Sequence, residues 1–244
     1  MPVAAHRVEP GQDGEWIVLA GFSAPHRFGT RRFPASSVRS IGGAPVLTAR
    51  QVHKDGVLAV ASGGQDAPRW QAEAASADAD GVATDRSDCW VGVVTADCVP
   101  LLLHDPVART AAAVHAGWRG ALMGVAPAAV RTLATRFGAD PSRLEAAIGP
   151  HIGACCFEVG HAVLDPLSKI PGWERWIAQR SGEKGYFDLG AFVRWQLETA
   201  GLAPTRMTAL GLCTRCDPSR FSSYRREGRR PPGMLSAVRV GPRA

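Results

Sequence analysis

The sequence lacks several features that would assign a function quickly. No apolar run approaches the roughly 18 residues that a membrane-spanning helix needs, so we expect no membrane association. There is no Gly-rich dinucleotide loop and no phosphate-binding loop of the GxxxxGK[ST] type. Internal repeats with a period of about 20–50 residues are also absent, which excludes solenoids and propellers. The N-terminal residues contain no apolar signal segment, so we expect a cytoplasmic protein with reduced cysteines.

Lysine is scarce, and the positive charge is carried almost entirely by arginine. Only three of the 28 basic residues are Lys, against 22 acidic residues, and the net charge is +6. Guanidinium groups suit planar recognition of phosphate or carboxylate, so an anionic small molecule is a plausible partner. The arginines are spread along the chain, so we do not expect nucleic acid as a partner. The sequence makes no prediction of oligomeric state.

The 244 residues are 45% hydrophobic and 20% charged, enough apolar material for a sizeable core, and we predict one domain over residues 1–244. Helical spacing predicts helices at 120–137, 159–167 and 189–200, and 62–80 reads as a surface loop. Strands are predicted at 16–22, 57–60, 91–103, 110–115, 144–148, 207–212 and 235–240. Because these elements show no strict β-α-β rhythm, the fold class should be α+β, a layered α/β sandwich with mixed β-sheets.

The stretch 90–120 is the most informative and predicts a hairpin followed by a helix. Asp105-Pro106-Val107-Ala108 has the residues of a type I turn, and a tight turn there sets Cys98 opposite His115. Directly opposed residues share a face with Cβ atoms about 4.5–5.5 Å apart, close enough to share a metal ion. A bulge at Pro100 would shift this pairing.

Metal binding or a catalytic triad needs a third group besides Cys98 and His115. The candidates are His53, His104 and His151, and the residues alone do not choose among them. Two histidines and one cysteine make a three-ligand site with one open position, the arrangement of catalytic zinc. Copper is the alternative metal. Arg119 would add positive charge beside the helix that follows His115.

The other cysteines look less suited to metal binding. Cys213 and Cys216 form a single CxxC without a second pair, which indicates a structural role. Cys155 and Cys156 are adjacent, a spacing ill suited to binding one ion. The segment 221–228 combines an aromatic hydroxyl with paired arginines, a composition suited to binding an anion.

Six motifs together resemble one family, in order along most of the chain from residue 51 onward. They are QVH (51–53), ADGVATD (79–85), TADCVPLLLHDP (95–106), HAGWRG (115–120), IGPHIGACCFEVG (148–160), and CT with FSSYRREG (between 213 and 228). On these motifs the chain resembles the YfiH-like, laccase-domain family.

The resemblance implies an enzyme. Members of the family are described as purine nucleoside phosphorylases that act on adenosine, inosine and methylthioadenosine, with an adenosine deaminase side activity. Others are described as polyphenol oxidases or peptidoglycan editing factors. Their shared metal site, usually zinc, maps onto His53, Cys98 and His115, so the resemblance selects His53 from the three candidates.

Our leading hypothesis is a metal-dependent purine nucleoside phosphorylase with a nucleoside and phosphate as small-molecule partners. The ion, zinc or alternatively copper, would be held by His53, Cys98 and His115, and arginines would offset charge on the phosphate. The expected catalytic and substrate-binding residues are His53, Cys98, His115, Arg119, Tyr224, Arg225 and Arg226.

Three alternatives stay open. A peptidoglycan editing amidase would use Cys98 as a nucleophile and His115 as its base. A copper polyphenol oxidase is less favoured, because one three-ligand site offers one metal whereas oxygen reduction generally calls on several coppers. A non-catalytic module that binds nucleotides or other anions would account for the arginine excess and would lose affinity steeply with salt.

Overall fold

A computed structural model describes residues 4–11, 14–32, 35, 38–63, 67–228 and 231–241. The strands in chain order are β1 (His6–Gly11), β2 (Gly14–Leu19), β3 (His26–Gly29), β4 (Ser40–Ile41), β5 (Ala44–Leu47), β6 (Val57–Val60), β7 (Gly81–Thr84), β8 (Trp90–Thr95), β9 (Val99–Asp105), β10 (Thr110–Ala116), β11 (Glu145–Ile148), β12 (Glu158–Val159), β13 (Ile177–Ser181), β14 (Lys184–Phe187), β15 (Met207–Ala209) and β16 (Met234–Arg239). The helices are α1 (Ala67–Ser76), α2 (Trp118–Met123), α3 (Val125–Phe137), α4 (His161–Leu167), α5 (Leu189–Thr199) and α6 (Tyr224–Glu227), with 3₁₀ turns at Trp173–Trp176 and Pro204–Arg206.

The strands form three sheets. A seven-stranded sheet has the order β1-β2-β3-β16-β8-β5-β4, and a six-stranded sheet has the order β15-β11-β9-β10-β7-β6. A small sheet has the order β12-β14-β13. Most pairs are antiparallel, but β5 with β8, β6 with β7 and β11 with β15 are parallel. The predicted α+β fold with mixed sheets is therefore confirmed.

Alternate residues of the central strand β9 explain the layers. Leu102 packs into a core shared with Phe28 and Val91 of the seven-stranded sheet. Its neighbours Leu101 and Leu103 point to the opposite face and pack in the core that contains α3 and α5. All seven residues of β9 are buried, as expected for a strand covered on both faces. The order of layers is sheet, sheet, helices.

The predicted strand 91–103 is two strands, and the break between them forms part of the site. β8 ends at Thr95 and β9 begins at Val99. Between them Asp97 has a φ of 91°, a conformation uncommon for a residue other than glycine. Its buried carboxylate accepts hydrogen bonds from Thr214 Oγ1 (2.6 Å), Ser223 Oγ (3.0 Å) and the Arg225 amide (2.7 Å), which hold this turn in place.

The β9–β10 hairpin forms as predicted, but its register differs by two residues. Asp105 pairs with Thr110, so His115 lies opposite Pro100 and not opposite Cys98. Cys98 lies in the turn before β9 and is not a strand residue, so strand alternation does not relate its side chain to that of His115. The prediction that Cys98 lies directly opposite His115 was wrong.

The cause of the shift is a loop of four residues in place of two. The Asp105 carboxylate accepts hydrogen bonds from the amides of Val107 (2.8 Å) and Ala108 (3.0 Å). Arg109 then adopts a left-handed conformation with a φ of 56° before the second strand begins. An aspartate that binds amides two and three residues ahead is a common way to stabilise such a loop.

Two further predictions need correction. The helix expected over 120–137 is divided at Gly124, whose φ of 91° separates α2 from α3, although α3 ends at Gly138 as expected. The segment 62–80, expected to be a loop, contains α1; its residues 64–66 lie outside the described part of the chain. No helix within the described ranges combines the length and apolarity needed to cross a bilayer.

Candidate metal centre

Three segments distant in sequence bring two histidines and one cysteine together. His53 follows β5, Cys98 lies in the turn between β8 and β9, and His115 is near the end of β10. One ligand atom from each side chain, two imidazole nitrogens and the Cys98 sulfur, lies within 4.8 Å of the others. The two imidazole rings meet edge to face with centroids 4.8 Å apart. The group therefore has the spacing to bind one ion.

Asp80 hydrogen-bonds to the His115 ring and to the backbone around His53, a role that sequence analysis missed. It is fully buried immediately before β7, and its Oδ1 accepts hydrogen bonds from His115 Nδ1 (2.8 Å) and the His53 amide (2.9 Å). Its Oδ2 accepts hydrogen bonds from the amides of Lys54 (2.7 Å) and Val52 (3.2 Å). One carboxylate thus fixes the tautomer of His115 and the loop that carries His53.

The ionisation of the three buried groups follows from these contacts. Burial opposes ionisation of Cys98, but hydrogen bonds with His115 and His53 outweigh it and lower its pKa to about 7. Burial also opposes protonation of His115, but the hydrogen bonds with Asp80 and Cys98 raise its pKa to about 9. Burial raises the pKa of Asp80, yet hydrogen bonds from His115 and the Lys54 amide bring it below its ordinary value. The site favours a thiolate beside a carboxylate-bound histidine.

Two local features shape the loop that carries His53. Gln51 exchanges two hydrogen bonds of 2.8 Å with the backbone of Val94, which ties the loop to the end of β8. His53 itself has a φ of 59°, a left-handed conformation held by the amide bonds to Asp80. Gly117 leaves space for the ligands: a Cβ atom there would lie 3.0 Å from Cys98 Sγ and 3.3 Å from the His53 ring.

The three ligands line a cavity of about 630 Å³, a size typical of small-molecule sites. Trp118 and Arg119 form part of its wall, with the Arg119 guanidinium 4.2 Å from the centroid of the Trp118 ring. Phe157 and Arg225 line it as well, and the Arg225 guanidinium lies 5.4 Å from the Phe157 ring. Cationic and aromatic groups therefore surround the same space.

The three substrate-binding candidates occupy different positions. Tyr224 is 56% exposed and lines the cavity together with Arg225. Arg226 does not line it: its guanidinium donates to the carbonyls of Thr214 (2.9 Å) and Phe221 (2.5 Å) and to the Glu227 carboxylate (2.6 Å). This placement argues against direct contact with substrate and indicates that Arg226 holds its own loop together.

The other two histidine candidates lie outside the group. His104 Nδ1 is 3.0 Å from Ser23 Oγ, and burial lowers its pKa. His151 donates from Nδ1 to the Gly149 carbonyl at 2.8 Å. Its Nε2 faces Gly190 so closely that a Cβ atom there would lie 2.4 Å away. Neither histidine shares a set of ligand atoms with Cys98.

The chemistry of the donors fits a transition-metal ion. A thiolate and two imidazoles are borderline-soft ligands that zinc and copper both accept. The Asp80–His115 hydrogen bond is the carboxylate–histidine arrangement found behind many metal ligands, and with Nδ1 engaged it would be His115 Nε2 that binds the ion. The residues present therefore fit a metal ion.

Fold and site together define a laccase-domain protein. The chain belongs to the family described as "Multi-copper polyphenol oxidoreductase laccase", whose profile matches residues 31–240. It is similar to purine nucleoside phosphorylase YlmD of Bacillus subtilis, with 32% identity over 65% of this chain, and to adenosine deaminase RL5 of an unknown prokaryotic organism, with 38% identity over 64%. The matched regions span 58% and 60% of those relatives' own lengths.

The fold has a close counterpart among solved structures. The crystal structure of YlmD from Geobacillus stearothermophilus superposes with a TM-score of 0.83 at 25% identity, covering 98% of this chain and 100% of that one. The resemblance stated from the motifs is therefore confirmed at the level of family and fold.

Proposed function

We propose that this protein is a purine nucleoside phosphorylase that acts on adenosine, inosine and methylthioadenosine, with an adenosine deaminase side activity. The observation that carries the proposal is the convergence of His53, Cys98 and His115 on a cavity that also presents Arg119 and Arg225. Relatives named for phosphorolysis and for adenosine deamination support the same assignment.

His53, Cys98 and His115 would hold the ion, zinc or alternatively copper. When bound, the ion would supply Lewis-acid polarisation of a phosphate or water oxygen. Phosphorolysis breaks the bond between the purine nitrogen and C1′ of the ribose and forms a bond from C1′ to a phosphate oxygen, and the proton of the hydrogen phosphate passes to the departing purine. Of the two reactants, inorganic phosphate is anionic and the nucleoside is neutral. The phosphate should therefore bind next to the guanidinium groups.

Arg119 and Arg225 would offset the phosphate charge and fix its position against the ribose. Phe157 and Tyr224 offer apolar and aromatic surface for the purine ring. Asp80 would act through His115 as a positioning residue, since its carboxylate fixes the ring through Nδ1. In deamination, water would take the place of phosphate as the attacking group. A bond would form from the water oxygen to C6 of adenine, the bond from C6 to its amino nitrogen would break, and ammonia would leave.

The test is a base-release assay on adenosine with and without inorganic phosphate, paired with the metal content of the same sample. Wild-type protein should release adenine and form ribose 1-phosphate only when phosphate is present. Cys98→Ser should lose this activity and the ion held by this site. Cys89→Ser is the matched control, because Cys89 is buried elsewhere and is not part of the candidate metal centre. Equal activity in wild type and Cys98→Ser would refute the proposal.

A second candidate is a cysteine amidase on peptidoglycan precursors, and one observation favours it. The chain of contacts from Cys98 to His115 to Asp80 also has the order of a nucleophile, a base and an orienting acid. This reading predicts that iodoacetamide abolishes activity whereas a chelator leaves it intact. The phosphorolysis proposal predicts loss of activity with the chelator, so paired treatment of one sample separates the two.

A further inference from the structure

Four of the six cysteines meet at a second location that does not line the cavity. Cys155, Cys156, Cys213 and Cys216 contribute sulfur atoms that all lie within 4.8 Å of one another. The Sγ atoms of Cys155 and Cys156 are 3.6 Å apart, and Cys216 Sγ is 3.6 Å from the first and 3.4 Å from the second. The sequence had suggested a CxxC without a second pair; the adjacent cysteines are that pair.

Two turns bring these sulfurs together, although adjacent cysteines looked unsuited to one ion. Residues 149–156 and 210–216 run side by side after the parallel pair β11 and β15, joined by a parallel bridge between His151 and Cys213. The amide of Cys156 donates to the Gly153 carbonyl at 2.9 Å and closes the first turn. Residues 214–216 form the second turn, so both cysteine pairs come from tight turns at the same end of the two strands.

The spacing of the sulfurs matches a single tetrahedral ion. Zinc–sulfur bonds of about 2.3 Å give a tetrahedron whose sulfur–sulfur edges are about 3.8 Å. The three Sγ separations of 3.4–3.6 Å are close to that edge. A disulfide needs about 2.0 Å, and all four thiols are free. An iron–sulfur cluster spreads its cysteines around several metal atoms, which favours wider spacing than this group has.

The surroundings supply hydrogen bonds and positive charge to the sulfurs. The amide of Gly153 donates to Cys213 Sγ at 3.3 Å, the kind of contact that orients a metal-bound thiolate. Interaction with the Cys156 sulfur raises the pKa of the Arg215 guanidinium, so this cation acts on the cysteine group. Four thiolates around a divalent cation carry two net negative charges, and a neighbouring guanidinium partly offsets them.

We propose that Cys155, Cys156, Cys213 and Cys216 form a structural zinc site, called here the four-cysteine site. Four protein ligands leave no open position, so its role is to hold the chain and not to bind substrate. No step of the proposed phosphorolysis depends on it. Its zinc is distinct from the ion proposed for His53, Cys98 and His115.

The four-cysteine site ties together two segments that reach the cavity. The first turn leads directly into Phe157, which lines the cavity. The second turn includes Thr214, whose hydroxyl donates to the Asp97 carboxylate beside Cys98 at 2.6 Å. Zinc would therefore fix the relative position of one cavity wall and of the turn that carries Cys98.

The experiment measures zinc per chain in protein purified under reducing conditions. Cys98→Ser should retain one zinc, because its four-cysteine site is intact. Cys98→Ser combined with Cys213→Ser should retain none, and Cys98→Ser combined with Cys89→Ser should again retain one. Cobalt substitution gives a second readout: Cys98→Ser loaded with cobalt should show the intense thiolate-to-metal absorption of a tetrahedral four-thiolate site.

The outcomes remain decisive if the Cys213 variant fails to fold. A mercurial thiol reagent added to folded Cys98→Ser should release one zinc as four thiols react, with no need for a second substitution. The absence of zinc from reduced Cys98→Ser would overturn the proposal. A mass two hydrogens lower per chain, which marks a disulfide, or acid-labile sulfide, which marks an iron–sulfur cluster, would also overturn it. Failure of the phosphorolysis assay would leave these measurements unaffected.

Discussion

Replacing Asp80 by asparagine should damage the proposed metal centre more than its small change in shape suggests. Asp80 Oδ1 and Oδ2 each accept two hydrogen bonds in a fully buried position. An asparagine keeps one accepting oxygen and turns an NH₂ group towards the other two donors. One orientation leaves the amides of Val52 and Lys54 without an acceptor; the other displaces His115 and the His53 amide.

The magnitude follows from the number of bonds lost. Each hydrogen bond to a charged group contributes about 1.5–3 kcal/mol, so loss of two should lower the free energy of unfolding by about 3–6 kcal/mol. Loss of the carboxylate behind a metal-binding histidine typically weakens metal binding about 10–100-fold. Urea unfolding measures the first effect, and competition with a chromophoric zinc chelator measures the second.

The matched control is Asp78→Asn, two residues earlier in the chain. Asp78 is half exposed and pairs with the exposed side chain of Arg50. Exposed ion pairs contribute about 0–1 kcal/mol, so this variant should unfold and bind zinc almost as the wild type does. The reasoning would be refuted if Asp80→Asn matched Asp78→Asn in both stability and zinc affinity.

Three further predictions concern the ligand space, the phosphate and pH. Gly117→Ala should weaken zinc binding at the cavity at least several-fold with little loss of stability, because the new Cβ atom would lie 3.0 Å from Cys98 Sγ. Arg119→Ala should raise the KM for phosphate about 10-fold, the equivalent of about 1.4 kcal/mol for one charge-assisted contact, as measured by initial rates. Burial lowers the pKa of His26, whose Nε2 accepts a hydrogen bond from the Leu19 amide at 2.8 Å. Because the folded pKa lies below the ordinary value, the free energy of unfolding should decrease as pH falls below about 6.5.

Controls for these predictions come from the same chain. Gly160→Ala adds a Cβ atom with no neighbour within 4 Å, so it should leave zinc affinity unchanged. Arg131→Ala removes an exposed arginine of α3 that does not line the cavity, so the phosphate KM should stay constant. His26→Gln should reduce the pH slope of stability by up to about 1.4 kcal/mol per pH unit. An effect of equal size in a variant and its control, or an unchanged slope in His26→Gln, would contradict the corresponding argument.

The layered fold and the hairpin that carries His115 were accessible from the sequence because both depend on local periodicity. Apolar runs bounded by turn residues predicted strands at 91–103 and 110–115, and a hairpin connects neighbouring strands whatever the rest of the chain does. The proximity of Cys98 to His115 does not come from the predicted pairing, because the loop has four residues and Cys98 lies in the turn before β9. The exact register depended on the Asp105 carboxylate and on the backbone of Arg109, which composition does not specify.

The remaining parts of the site depend on contacts between distant segments. His53 was selected by resemblance alone, because its position is fixed by Asp80, 27 residues further along the chain. Asp80 had one local signal: a carboxylate between alanine and glycine at the start of an apolar strand must find several donors if it is buried. The four-cysteine site requires two turns 60 residues apart to meet, and the adjacent pair Cys155–Cys156 gave no sign of this before its partner turn was known.

The most direct test of the central claim is a crystal structure of the zinc-supplemented protein with anomalous data collected at the zinc absorption edge. The account predicts an anomalous peak at bonding distance, about 2.0–2.3 Å, from Cys98 Sγ and from one ring nitrogen each of His53 and His115. An anomalous difference map with no peak among these three atoms, or with a peak bonded to fewer than three of them, would contradict the proposed metal centre.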